Sequence, residues 1–381
     1  QWRENGRVAT ESKLGRRRDG RTEGARDEAC ESGMPPPRMS HVESPLRADH
    51  MTSSFIRRRR SGPVLGLAAL PLLIAVACGP AQEYDLILRG GTLLDGTGAP
   101  PRVGDVAIDG DRIVEVGDLG RAVGTREIDA TGLMVAPGFI HLHSHASPEG
   151  LPTAVNMLSQ GVTTEILNPD GGGPLDLDSQ LNSLEERGLA VNVGAFIGFN
   201  RVWLETVGPD DLPPTEEQIT QMQERVEAGL EAGAWGVSAG LDYKPAYFAS
   251  TEAVIDVLTP SGRWQTVFSN HDRLTPETGF SSRVGMEETV AIGEATGLRP
   301  VITHMKIQGR EQGSAPQVLA WMGEAEERGV PVSADVYPYL AGQTSLSALI
   351  IPGWAQAGGR EAMLERFQDA ELRATIVSEA N

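Results

Sequence analysis

From Pro137 onward the chain alternates short apolar segments with amphipathic ones, and this alternation limits the architectures open to it. Candidate strands fall at 138–142, 164–167, 190–197, 236–238, 266–269, 300–303 and 331–336. Between them lie helix-like stretches at 216–233, 286–296 and 315–329, each closed by Gly or Thr-Gly, a common helix stop. Strands that recur with helices between them build parallel sheets covered by those helices. Seven such repeats predict an α/β fold, a TIM-like (β/α)8 barrel truncated before its eighth strand, occupying 137–381.

The preceding stretch has a different rhythm. Segments 84–89, 105–109, 112–116 and 127–135 alternate apolar and polar residues and are separated by Gly-Gly, Asp-Gly, Gly-Asp and Thr-Gly turn signals. They predict a small antiparallel β module, of β-sandwich type, over 78–136.

Residues 51–77 have the layout of a secretory signal peptide. A basic segment, Arg57 to Arg60, precedes an apolar run from Pro63 to Ala77. At about 15 residues the run is short of the ~20 that span a bilayer. It ends in Ala75-Val76-Ala77-Cys78, similar to a bacterial lipoprotein box, which would make Cys78 the lipidated first residue of an exported protein facing the periplasm or cell surface. A plain cleaved signal and a membrane anchor are the other readings. Residues 1–50, rich in Arg, Glu, Gly and Pro without hydrophobic periodicity, read as a disordered leader or upstream translation. With only two cysteines, Cys30 and Cys78, no disulfide framework is indicated.

Charge excludes one class of partner. There are 14 Lys and Arg against 9 Asp and Glu before Cys78, and 19 against 43 from there on. A nucleic-acid surface needs a basic patch to neutralise phosphates, and this composition offers none.

Five of the seven histidines, His141, His143, His145, His271 and His304, stand at or just past the C-terminal end of a candidate strand. In a β/α barrel those ends converge on the active-site face. His143 and His145 are two apart, so on an extended segment both imidazoles point to one side and can share a metal ion.

In the surrounding motifs the chain resembles the amidohydrolase superfamily, and within it the N-acyl-D-amino-acid deacylase (D-aminoacylase) branch. The resemblance runs from about Tyr84 to the last residue and rests on YDLILRGGTLLDGTG, PGFI before HLHSH, GVTT at Gly161, GLDYKPAYFAS at Gly240, SNHDR ending at Arg273, THMK ending at Lys306 and DVYPY at Asp335. It implies a metal-dependent hydrolase of a linear amide C–N bond that releases a carboxylate and a free D-amino acid from a small acylated amino acid. It implies Zn2+, one or two ions, with His143 and His145 at one position and His271 and His304 at the other. Lys306, Tyr337 and Tyr243 are expected to hold the substrate.

Two positions depart from the family pattern. His141 stands where an Asp is usual, leaving open an extra ligand, a hydrogen-bonding partner or a tolerated change. Asp170 stands where the family places a metal-binding Cys and is the expected carboxylate ligand, with Glu165 as its rival. The family's general-base Asp, at the end of the eighth strand, is expected beyond residue 381, so the chain alone is expected to be inactive and poorly stable. Alternatives to the deacylase are a cyclic-amide or dipeptide hydrolase on the same barrel and a catalytically dead, lipid-anchored binding protein.

Overall fold

The computed structural model describes residues 81–274, 280–337 and 339–380. The expected leader, signal segment, Cys30 and Cys78, and Pro338 of the DVYPY motif, lie outside the described residues. The chain divides into two units between Ala136 and Pro137, the boundary expected from the change of rhythm.

The first unit contains one five-stranded sheet: β1 (Glu83–Leu93), β2 (Arg102–Asp109), β3 (Arg112–Gly117), β4 (Val123–Asp129) and β5 (Met134–Val135). β2 pairs antiparallel with β1 and β3, whereas β4 and β5 run parallel to β1. Among the described residues the expected antiparallel sandwich is therefore a single mixed sheet. The strand expected at 127–135 is split in two by a turn. Asp129 Oδ1 accepts the Thr131 amide at 2.9 Å and Gly132 adopts φ +78°, two turn devices that interrupt an extended backbone. Tyr84, Ile87, Ala107 and Leu119 form the unit's small core.

The second unit carries seven parallel strand positions in chain order: β6 (Phe139–His141), β7 (Val162–Leu167), β8 (Asn192–Ala195) with β9 (Ile197–Gly198), β10 (Gly236–Gly240), β11 (Val267–His271), β12 (Arg299–Ile302) and β13 (Ser333–Ala334). The third position breaks at Phe196. Before the break β8 pairs with β7, and after it β9 pairs with β10, so this strand hands the sheet from one neighbour to the next. Phe196 is fully buried, and its amide still bonds to Leu167 O at 3.0 Å.

Helices follow the strands: α1 (Val155–Leu158), α2 (Leu177–Arg187), α3 (Phe199–Thr206), α4 (Glu216–Glu231), α5 (Thr251–Leu258), α6 (Ser282–Thr296) and α7 (Ala315–Glu327). Local chemistry sets their limits. α4 starts at a capping box in which the Thr215 hydroxyl accepts from the Gln218 amide and the Gln218 side chain accepts from the Thr215 amide. α6 stops at Gly297, whose φ of +76° is the left-handed conformation glycine takes most readily. Val226 and Leu230 of α4, Val254 and Leu258 of α5, and Ile197, Val237 and Phe268 from the strands share one buried core. After β13 the described chain forms four further helices, α8 (Leu346–Ile350), α9 (Gly353–Gln356), α10 (Gly359–Gln368) and α11 (Ala370–Glu379). Among the described residues β6 pairs only with β7 and β13 only with β12. At the β6 border Phe139 and Ile140 are 60% and 56% exposed.

Candidate metal centre

Three strand ends deliver the histidines. His141 closes β6, and His143 and His145 lie in the turn that follows, where the Ser144 amide bonds to Ile166 O at 3.0 Å. His271 closes β11, and His304 comes two residues after β12.

Asp170 lies in the loop after β7 and adopts φ +55°, as Asn168 does at +61°. Ser238 supports this left-handed pair by donating its hydroxyl to Asn168 O at 2.6 Å and accepting the Gly171 amide at 3.1 Å. The loop passes so close to β10 that a Cβ on Gly240 would lie 2.7 Å from Asp170 O, hence glycine there.

These residues form two overlapping groups. His143, His145 and Asp170 make one, Asp170, His271 and His304 the other, with the donor atoms of each within 4.8 Å of one another. Asp170 Oδ1 is 3.4 Å from His143 Nε2 and 3.4 Å from His271 Nδ1, and Oδ2 is 3.3 Å from His145 Nε2. Those separations are long for hydrogen bonds. They match the edge of a tetrahedron, about 3.3 Å when each ligand is ~2.0–2.1 Å from its centre. His304 Nε2 and His271 Nδ1 are closer, at 2.9 Å.

Buried Asp170 Oδ1 has no hydrogen-bond partner in the protein. A converging set of imidazoles and one carboxylate with unused lone pairs fits a divalent ion of zinc type.

Electrostatics agree with a ligand role. Burial alone would raise the Asp170 carboxyl, but the imidazoles of His143, His145 and His271 outweigh it and hold the group far below the usual carboxylate range. The same contact with Asp170 raises His145. Burial, with His271 and Lys306 nearby, pushes His304 down to about 3, so its ring is neutral and has a lone pair to give.

The other expected residues divide. His141 points Nδ1 at Glu165 Oε2, 2.9 Å away. Glu165 is fully buried, and neither residue joins either donor group. The structure thus brings Asp170 and not Glu165 to the histidines, and pairs His141 with Glu165.

Lys306, Tyr243 and Tyr337 flank the His271 and His304 pair. Lys306 Nζ lies 2.9 Å from His304 Nδ1, 3.1 Å from His304 O and 5.4 Å over the Tyr337 ring. The Tyr243 ring is 4.4 Å from His271, and its hydroxyl is 3.1 Å from Thr344 Oγ1. Sequence reasoning missed Ser238 and Asp335, which brace the site backbone, and the buried carboxyl of Asp272 beside His271. Asp272 and Asp335 lay within the quoted SNHDR and DVYPY motifs, and Ser238 lay outside them.

Seven parallel strand positions with histidine and carboxylate donors gathered at their C-terminal ends define a β/α protein built around a metal-type centre. No family model matches the chain. Among curated proteins it is 32% identical over 291 residues to the D-aminoacylase of Alcaligenes xylosoxydans xylosoxydans, covering 70% of this chain and 60% of that protein. It is 34% identical over 303 residues to an N-acyl-D-aspartate deacylase of the same organism, covering 70% and 58%. Among solved structures, a D-aminoacylase described as defining a novel subset of amidohydrolases is 30% identical, with a TM-score of 0.59 and 78% of this chain and 70% of that one covered. N-acyl-D-glutamate deacylase from Bordetella bronchiseptica, complexed with zinc and a phosphonate inhibitor, is 27% identical, with a TM-score of 0.63 and coverage of 78% and 71%. The chain belongs to the D-aminoacylase group of the amidohydrolases. It spans about 60% of the length of the curated relatives it matches.

Proposed function

We propose that this protein is a zinc-dependent deacylase that hydrolyses the amide of N-acyl-D-amino acids. The observation that carries the reading is the pair of donor groups sharing Asp170 at the strand ends. D-aminoacylase and the D-aspartate and D-glutamate deacylases among the relatives supply the substrate class.

His143, His145, Asp170, His271 and His304 would hold the metal, one or two ions. Zinc bound there lowers the pKa of water and polarises the scissile carbonyl, making an unactivated amide open to attack near neutral pH. Asp170, ionised throughout the working pH range, keeps its carboxylate available as a ligand and does not carry protons. Lys306 has three N–H donors. One of them reaches His304 O, 3.1 Å away, which leaves donors for a substrate carboxylate. Tyr243, pushed up to about 12 by burial, stays a phenol and can donate beside it. Tyr337, within 5.4 Å of the Lys306 ammonium, lies on the same side.

The test uses the intact gene product. Zinc content and amino-acid release are measured with N-acetyl-D-amino acids, their L enantiomers, hydantoins and dipeptides. Bound zinc, release from the D amides alone, and loss of the metal in Asp170→Ala are expected. A protein without zinc that hydrolyses none of these compounds would sink the proposal.

Export and lipid attachment at Cys78 belong to the same proposal. The basic Arg57–Arg60 segment, the apolar run and the Ala-Val-Ala-Cys ending support them. Among the described residues no helix is long and apolar enough to cross a membrane. Metabolic labelling with an alkyne fatty acid should mark the parent protein and not Cys78→Ser. A parent that takes up no label refutes the attachment.

A further inference from the structure

His304 has an uncommon backbone. Its φ is +37°, in the left-handed region that side chains with a Cβ seldom occupy. Asp335, just past β13, holds this stretch through three hydrogen bonds. Its carboxylate Oδ1 accepts the His304 amide at 2.5 Å, its carbonyl accepts the Met305 amide at 2.8 Å, and its own amide donates to Ile302 O at 3.2 Å. Thr303 is tied on the other side, its amide and hydroxyl both donating to Asn270 O, at 3.2 and 3.0 Å.

The second carboxylate oxygen, Asp335 Oδ2, is buried without a hydrogen-bond partner. An unpaired buried carboxylate oxygen weakens a fold, so packing alone does not account for an Asp here. What the side chain does accomplish is to hold the peptide that precedes the His304 Cα, while the Asp335 carbonyl holds the one that follows it, so that the dihedral angles of His304 between them are fixed.

We propose that Asp335 is a positioning residue that locks His304 in its left-handed conformation and so aims the imidazole at the metal centre. The inference rests on the reading of His304 as a metal ligand. With the ring held this way, Nδ1 faces Lys306 and Nε2 faces His271 and the donor groups. Were His304 to relax into an ordinary extended or helical conformation, its Cα–Cβ direction would rotate and Nε2 would leave the group shared with Asp170 and His271.

The role requires an acceptor at Oδ1 and no charge, and that sets the test. Zinc stoichiometry and affinity are measured by chelator competition on the intact protein and on the variants His304→Ala, Asp335→Ala and Asp335→Asn. Outer partners of metal ligands typically change affinity by about 10–100-fold when removed. Asp335→Ala is expected to fall in that range, reproducing the zinc-binding pattern of His304→Ala, while Asp335→Asn, which keeps a carbonyl oxygen for the His304 amide, stays close to the parent. Parental affinity in Asp335→Ala, or equal weakening in the Ala and Asn variants, overturns the proposal. So does loss of zinc in Asp335→Ala accompanied by loss of the cooperative melt, because Asp335 would then hold the fold and not the histidine. If His304→Ala itself binds zinc like the parent, the underlying ligand assignment fails, an outcome separate from the others.

Discussion

At the scale of the residue, the site concentrates features that a chain selected only for stability avoids. Asp170 and His304 both have positive φ without being glycine, and each such residue costs on the order of 1–3 kcal/mol. Asp272 adds a buried carboxyl beside His271. Burial raises it to about 6 from an ordinary 3.8, against the pull of His271. The folded state therefore binds this proton more tightly than the unfolded one. The destabilisation is complete above pH 6 and is relieved as pH falls toward 4. In metal-free protein, Asp272→Asn should gain on the order of 2–3 kcal/mol at pH 7–8, with the gain shrinking below pH 6 and gone near pH 4. Denaturant melts across that range check it, and a pH-independent difference would contradict the assignment. None of this was legible beforehand, because an Asp following a histidine in SNHDR looks the same whether its side chain faces water or the interior.

The helices and strands were largely readable, and their failures are informative. α4, α6 and α7 lie within a few residues of the stretches marked by 3.6-residue periodicity and terminal glycines. The missed breaks, at Ala130 to Leu133 and at Phe196, depend on an Asp–Thr turn and on a change of pairing partner, which periodicity does not register. Packing between elements also decides what a glycine is for. A Cβ on Gly293 of α6 would lie 2.6 Å from Pro300 Cδ, in a rigid ring of β12, whereas a Cβ on Gly323 of α7 would meet nothing within 4 Å. Gly293→Ala should thus destabilise by roughly 1–3 kcal/mol through overpacking. Gly323→Ala should stabilise by up to about 1 kcal/mol through helix propensity. Opposite signs in thermal melts support the α6–β12 contact, and equal signs argue against it.

For the whole molecule, the metal links the fold to the function. Donors come from the ends of β6, β7, β11 and β12, strands spread across the arc, so an ion held by them ties distant stretches of chain together. Zinc at about 100 times its dissociation constant should add ~2.7 kcal/mol of stability. Chelation should lower the melting temperature and zinc should restore it, whereas manganese or zinc addition without any shift would argue against a bound ion. The sequence by itself determined the β/α order, the boundary near Pro137 and the placing of five histidines at strand ends, because periodicity and turn chemistry are written locally along the chain. Only the tertiary structure decided that Asp170 and not Glu165 meets those histidines, that His141 turns away to Glu165, that β4 runs parallel to β1 and that Asp335 reaches His304. Each of these depends on strand register and side-chain direction between segments far apart in sequence, and a local pattern carries no information about them.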